Sequence, residues 1–272
     1  MYVPAGHPSV VVGIDGSRAA IDAALWAVDE AVARDIPLRL LYAIEPDDFA
    51  EVPPDRAARK LAIAENAVRY ASMTAEAAEQ PVRIEIEIAQ ERPIVALTRA
   101  SASAAMVCVG AVGLHHFRPE RAGSTAAAVA QSAHCPVAVI RRHGDRAGRE
   151  EHWIAVDSHA SADSDAVMRT ALDEARLRDL PLRAITHGQR AGCDFPDRRL
   201  ERWRRHYPDV DVEAAVSNGS LIDYLAGHGR HVRMVVIGHR NHDEVTRLLG
   251  PAGSAVLHHA DCSLLIVDRP NL

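Results

Sequence analysis

The sequence predicts an α/β fold built twice along one chain, each copy a doubly wound parallel sheet. Short, nearly continuous apolar runs alternate with longer stretches of helix-forming residues, which is how strands buried on both faces and their crossover helices read. The landmarks of the first half return in the same order in the second. A chain of 272 residues is also long enough for two domains of common size.

In the first copy, Val10–Ile14, Leu38–Ile44, Met106–Val109 and Val137–Ile140 are the buried strands. Ala19–Ala33 and Arg56–Ala78, rich in Ala, Leu, Glu and Arg and free of internal Gly and Pro, are helices. Val82–Ile88 alternates apolar and charged residues, as a half-exposed strand near a sheet edge does. Pro93 suits the first turn of a further helix. This β-α alternation implies a parallel sheet with right-handed crossovers, one per repeat.

The repeat is visible residue by residue. Val10 to Ile14 ends in Asp15, and Trp153 to Val156 ends in Asp157. Asp29-Glu30-Ala31 with Arg34 to Arg39 reappears almost literally as Asp173-Glu174-Ala175 with Arg178 to Arg183. Met106 to Gly110 pairs with Met234 to Gly238, and Ala133-His134-Cys135 with Ala260-Asp261-Cys262. The polar, aperiodic stretch from Arg142 to His152 is the linker, giving modules 1–145 and 146–272.

Composition excludes several classes. A hydrophobic fraction of 48% with 25% charged residues belongs to a globular protein. A net charge of -6 argues against a general nucleic-acid binder. No basic-then-apolar leader and no long uncharged apolar run is present, so neither secretion nor a membrane location is expected. Cys108, Cys135, Cys193 and Cys262 lack metal-ligand or C-x-x-C spacing, and read as free buried thiols in a reducing, cytoplasmic setting.

The chemistry concentrates at Gly110-Ala111-Val112-Gly113, followed nine residues later by Gly123-Ser124-Thr125 at the start of an Ala-rich helix. Gly110 and Gly113 let backbone amides approach a ligand and can take positive φ. Ser124 and Thr125 present hydroxyls and amides at the positive helix end, where phosphate is favoured. The same glycines also serve a plain βα turn, with Ser124 as an ordinary N-cap. Asp15-Gly16-Ser17 is likewise good turn chemistry, with Asp15 capping the helix that follows.

Gly-x2-Gly-x9-Gly-Ser after an apolar strand, an Asp ending the first strand, and the Cys-Pro-Val of Cys135 to Val137 together resemble the universal stress protein family, in its tandem two-module, ATP-binding form. The resemblance covers nearly the whole chain. It implies five-stranded sheets of order 3-2-1-4-5, like those of the adenine nucleotide alpha hydrolases. It also implies ATP, with Mg2+, wrapped by the glycine motif. By position this implicates Gly13 and Asp15 at the first strand and Ala43 after the second. Val109, Gly110 and Gly113 follow at the fourth, and Gly123, Ser124 and Thr125 at the helix. Asp157 and Gly238 are their counterparts in the second module. A homodimer and an unidentified protein partner are further implications.

The chain departs from the family in two places. The loop Leu114 to Ala122 is more basic and poorer in glycine, placing Arg118 and Arg121 either near terminal phosphates or in solvent. His115 and His116 lack further ligands and carry no metal role. In the second module Asn241 replaces the second glycine and Pro251 replaces the Ser, while Gly253-Ser254 would substitute only by a shift of register that makes the spacing from Gly238 too long. A weakened or specialised second site follows, with Asn241 preserving the turn through its tolerance of left-handed backbone. No Walker sequence and no Lys in the glycine motif are present, and no catalytic residue or metal ligand is assigned. A nucleotide-dependent regulatory or stress-response switch is therefore the expected function. Slow ATP hydrolysis, adenylyl transfer and partner docking are the alternatives.

Overall fold

The structure, a computed structural model, describes residues 8–46, 54–113, 123–141, 152–158, 164–187, 195–217 and 219–267. Contacts divide the chain into two units, the first ending at Arg141 and the second continuing from Arg142. The expected boundary between residues 145 and 146 lies outside the described residues, as do His115, His116, Arg118, Arg121 and Cys193.

The first unit runs β1 (Val10–Ile14), α1 (Arg18–Ala33), β2 (Leu38–Ala43), α2 (Pro54–Glu76), β3 (Ile84–Ala89), α3 (Pro93–Ser101), β4 (Met106–Gly110), α4 (Ser124–Ser132) and β5 (Val137–Ile140). Its strands lie in the order β3-β2-β1-β4-β5, every described pair parallel. Chain order and spatial order part between β1 and β4, which makes their carboxyl ends the switch point of the sheet. Val10, Val11 and Val12 are 0% exposed, each burial stabilising by about 1.5–3 kcal/mol. Ala20, Ala23, Ala24, Ala27 and Ala31 face inward from α1, and their small side chains let the helix lie close over β1 and β4. Pro93 opens α3. The alternating strand stands at the edge, where Ile86 is 44% exposed.

The second unit repeats this with one helix added: β6 (Trp153–Asp157), α5 (Ser164–Leu177), β7 (Leu182–His187), α6 (Phe195–His206), β8 (Val212–Ser217), α7 (Leu221–His228), β9 (Val232–Gly238), α8 (His242–Leu249), α9 (Pro251–His259) and β10 (Ser263–Val267). Within it the order is β8-β7-β6-β9-β10, again parallel.

The near-literal sequence repeat has a structural reason. In α1 the Arg34 amide donates to Glu30, Asp35 to Val32 and Ile36 to Ala31, with Asp35 at φ 52°. The end of α5 copies this through Arg178, Asp179 (φ 52°) and Leu180. Both are Schellman closures, which satisfy the last helical carbonyls through one left-handed residue. Each is braced by an ion pair on a buried carboxylate, Glu30 with Arg34 and Glu174 with Arg178. Cys108, Cys135 and Cys262 are buried cysteines outside any disulfide.

Candidate functional site

A cavity of about 450 Å³ opens at the switch point of the first unit. All nine residues singled out in the first module line it: Gly13 and Asp15 from the β1 end, Ala43 from β2, and Val109, Gly110 and Gly113 beyond β4. Gly123, Ser124 and Thr125 at α4 complete the set. The volume falls within the range of small-molecule pockets.

The β1 end is a rigid acidic turn. Gly16 takes φ 84°, a left-handed angle that glycine adopts without strain. The turn lets the Ser17 amide donate to Asp15 Oδ1 at 2.9 Å. Ser17, not Asp15, caps α1, its hydroxyl accepting from the Ala20 amide at 3.1 Å. The Asp15 carboxylate is thereby held partly exposed in the cavity. Burial, and then the charge of Asp15, raise the Tyr42 phenol above its ordinary pKa.

The glycine turn works by space rather than by unusual backbone angles. Neither Gly110 nor Gly113 has positive φ, contrary to expectation. A Cβ on Gly110 would lie 2.6 Å from the Ala19 carbonyl carbon, so α1 can start where it does only above a glycine. A Cβ on Gly113 would lie 2.6 Å from Asp15 Oδ2, inside the space in front of that acid.

At α4, Gly123 is the N-cap and Ser124 the first helical residue, which corrects the reading of Ser124 as a cap. The Gly123 amide donates to the Ala111 carbonyl at 2.8 Å, so it is engaged in closing the loop. The amides of Ser124, Thr125 and Ala126 are those a first helical turn leaves without intrahelical acceptors, and all three residues line the cavity. They form the positive end of a helix dipole directed at that space.

Sequence reasoning missed the walls supplied by α2 and α3. Lys60 lines the cavity and donates from Nζ to the Glu45 carbonyl at 2.9 Å. Glu45 Oε1 lies 3.7 Å from Arg92 Nε. Ile63, Pro93 and Leu97 add apolar surface. Ile63 had a readable signal, since it stands off the buried stripe of Ala64, Val68, Ala71 and Ala75 and is 50% exposed. Lys60 had none. Among the described residues no cluster of metal-ligating side chains occurs, and no helix is long and apolar enough to cross a membrane.

Asp157 and Gly238 occupy the matching strand ends of the second unit, but with different surroundings. Asn241 Nδ2 donates to Asp157 Oδ2 at 2.9 Å. Asn241 has φ -81°, so no left-handed residue preserves the turn there. The stretch between Asn241 and Gly250 forms helix α8, whose acidic first turn, basic last turn and apolar Val245, Leu248 and Leu249 are readable helix signals. Gly253 and Ser254 are buried inside α9, with Gly253 pressed on α8, and do not replace the missing Ser.

The first unit is thus of the open α/β class that lodges ligands at a switch in strand order, with an acid on one side and an open helix N-terminus on the other. The chain belongs to the universal stress protein family, whose model matches residues 7–141 and 190–268. Universal stress protein Rv2028c of Mycobacterium tuberculosis is 55% identical over 272 residues, spanning 97% of this chain and 98% of the relative. Universal stress protein Rv3134c of the same organism is 43% identical over 286 residues and the whole of both chains. The crystal structure of a universal stress protein from Archaeoglobus fulgidus shares the fold, with a TM-score of 0.74 over 96% of each chain at 15% identity.

Proposed function

We infer that the first module binds ATP, with Mg2+ carried on the phosphates, and that occupancy acts as a regulatory or stress-response switch in a cytoplasmic protein. One observation carries the reading: the nine residues chosen from sequence line a single cavity with an open helix N-terminus on its wall. The parts of the cavity suit the parts of the ligand. The amides of Ser124, Thr125 and Ala126 would take phosphate oxygens. The Asp15 carboxylate would accept from sugar hydroxyls, and Ile63, Pro93 and Leu97 offer apolar surface to a base. A divalent ion would offset phosphate charge while drawing most of its ligands from phosphate and water.

No catalytic residue is assigned in this reading, and ATP serves as a signal. A homodimer and a protein partner that reads occupancy complete the proposal. Thermal unfolding with and without Mg-ATP tests it, using wild type, Asp15→Ala and Gly113→Ala. At a hundredfold the dissociation constant, wild type gains about 2.7 kcal/mol and both variants lose most of that gain. A wild type free of carried-over nucleotide that shows no shift overturns the reading. Sedimentation with and without Mg-ATP tests the dimer.

A further inference from the structure

We propose that Asn241 closes the second unit's counterpart of the first-unit cavity, so that each chain takes up one Mg-ATP rather than two. The proposal rests on the reading of the first unit given above. It starts from equivalent positions in the two repeats. Gly113 puts no side chain into the space before Asp15, where a Cβ would stand 2.6 Å from Oδ2. Any larger side chain at that position must occupy the space or turn away from it. Asn241 occupies it: its Nδ2 lies 2.9 Å from Asp157 Oδ2. The consequence is visible in burial, since Asp157 is 7% exposed while Asp15 remains partly open.

The carboxamide therefore does for Asp157 what a ligand donor would do for Asp15. It donates to a charged acceptor, a stronger bond than one between neutral groups. An incoming hydroxyl would have to displace it and offer no more than an equal bond in return.

The helix that follows is closed as well. In the first unit the Gly123 amide bonds the Ala111 carbonyl, leaving the next three amides facing the cavity. In the second, the Gly250 amide turns back to the Thr246 carbonyl and finishes α8 instead. Pro251 then starts α9 with no amide hydrogen to give. A Cβ on Gly253 would meet Arg247 O at 2.3 Å and Leu248 Cα at 2.5 Å, so α8 lies directly on α9. One unit thus presents a partly exposed acid beside a helix start that lines the cavity, and the other a buried acid bonded by a side-chain amide and a helix that starts with proline.

Equilibrium dialysis of the full chain against radiolabelled Mg-ATP counts the sites. Wild type is expected to bind one per chain. Gly113→Asn should bind none while unfolding, without nucleotide, at or above the wild-type temperature, because the new carboxamide holds Asp15. Gly113 has no positive φ, so its backbone accepts a side chain. The double variant Asn241→Gly/Pro251→Ser should rise above one per chain. Two sites in wild type, full binding by folded Gly113→Asn, or a double variant that stays at one would each overturn the inference and leave the first-unit reading standing. No binding by wild type overturns that reading and this one with it.

Discussion

The main chain of Ala19 passes so near Gly110 that a Cβ on the glycine would lie 2.7 Å from the Ala19 carbonyl oxygen. The turn after β4 and the first turn of α1 are therefore fitted to each other through backbone, which cannot swing aside. Gly110→Ala should cost about 1–3 kcal/mol by overpacking and reduce the Mg-ATP shift by displacing α1. Gly113→Ala meets only the end of a carboxylate side chain, and its stability loss should stay under about 1 kcal/mol. Urea unfolding of the two variants side by side checks the contrast.

Asp35 and Asp179 hold left-handed angles in the two Schellman closures. Asp tolerates this region, glycine prefers it, and a β-branched residue is penalised by about 1–2 kcal/mol. Asp35→Gly should therefore leave stability unchanged or raised, while Asp35→Val lowers it by that amount. Denaturant midpoints at constant m-value provide the readout.

Tyr207 donates its hydroxyl to Asp173 Oδ1 at 2.8 Å. Burial, then that bond and the Asp173 charge, push its pKa up to about 12. The neutral phenol is the favoured form, so its contribution to stability is complete below the unfolded pKa near 10. It is lost as pH rises from there through the folded value. Difference absorbance of wild type against Tyr207→Phe should show one phenol ionising late, and the two proteins should converge in stability toward pH 12.

Incubation with Mg-ATP for hours should release no phosphate above a buffer blank. Release that Asp15→Asn abolishes would move the first module from switch to slow ATPase.

The strands of the first unit and the start of α3 were legible because each rests on local chemistry: unbroken apolar runs, and Pro93 at a helix start. The glycine motif could be read as a motif, but the need for Gly110 comes from the main chain of Ala19, distant in sequence. The Schellman closures stand in the sequence as a repeated Arg-Asp-x-Pro, in which Asp, unlike glycine, does not by itself signal a left-handed helix end. Lys60 could not be found, since its approach to Glu45 joins residues 15 apart whose meeting depends on the packing of α2. As a replaced glycine, Asn241 offers the sequence only its backbone tolerance. Its effect runs through the side chain to Asp157, 84 positions away, where no local rule applies.

The bond from the Gly123 amide to the Ala111 carbonyl makes the segment between them a cassette. Both attachment points are held whatever the intervening residues are, so α4 keeps its place when they change. Doubling the length of such an excursion adds only about 0.6 kcal/mol of closure entropy. Val112 and Gly113, the described residues of that segment, line the cavity just beyond the end of β4.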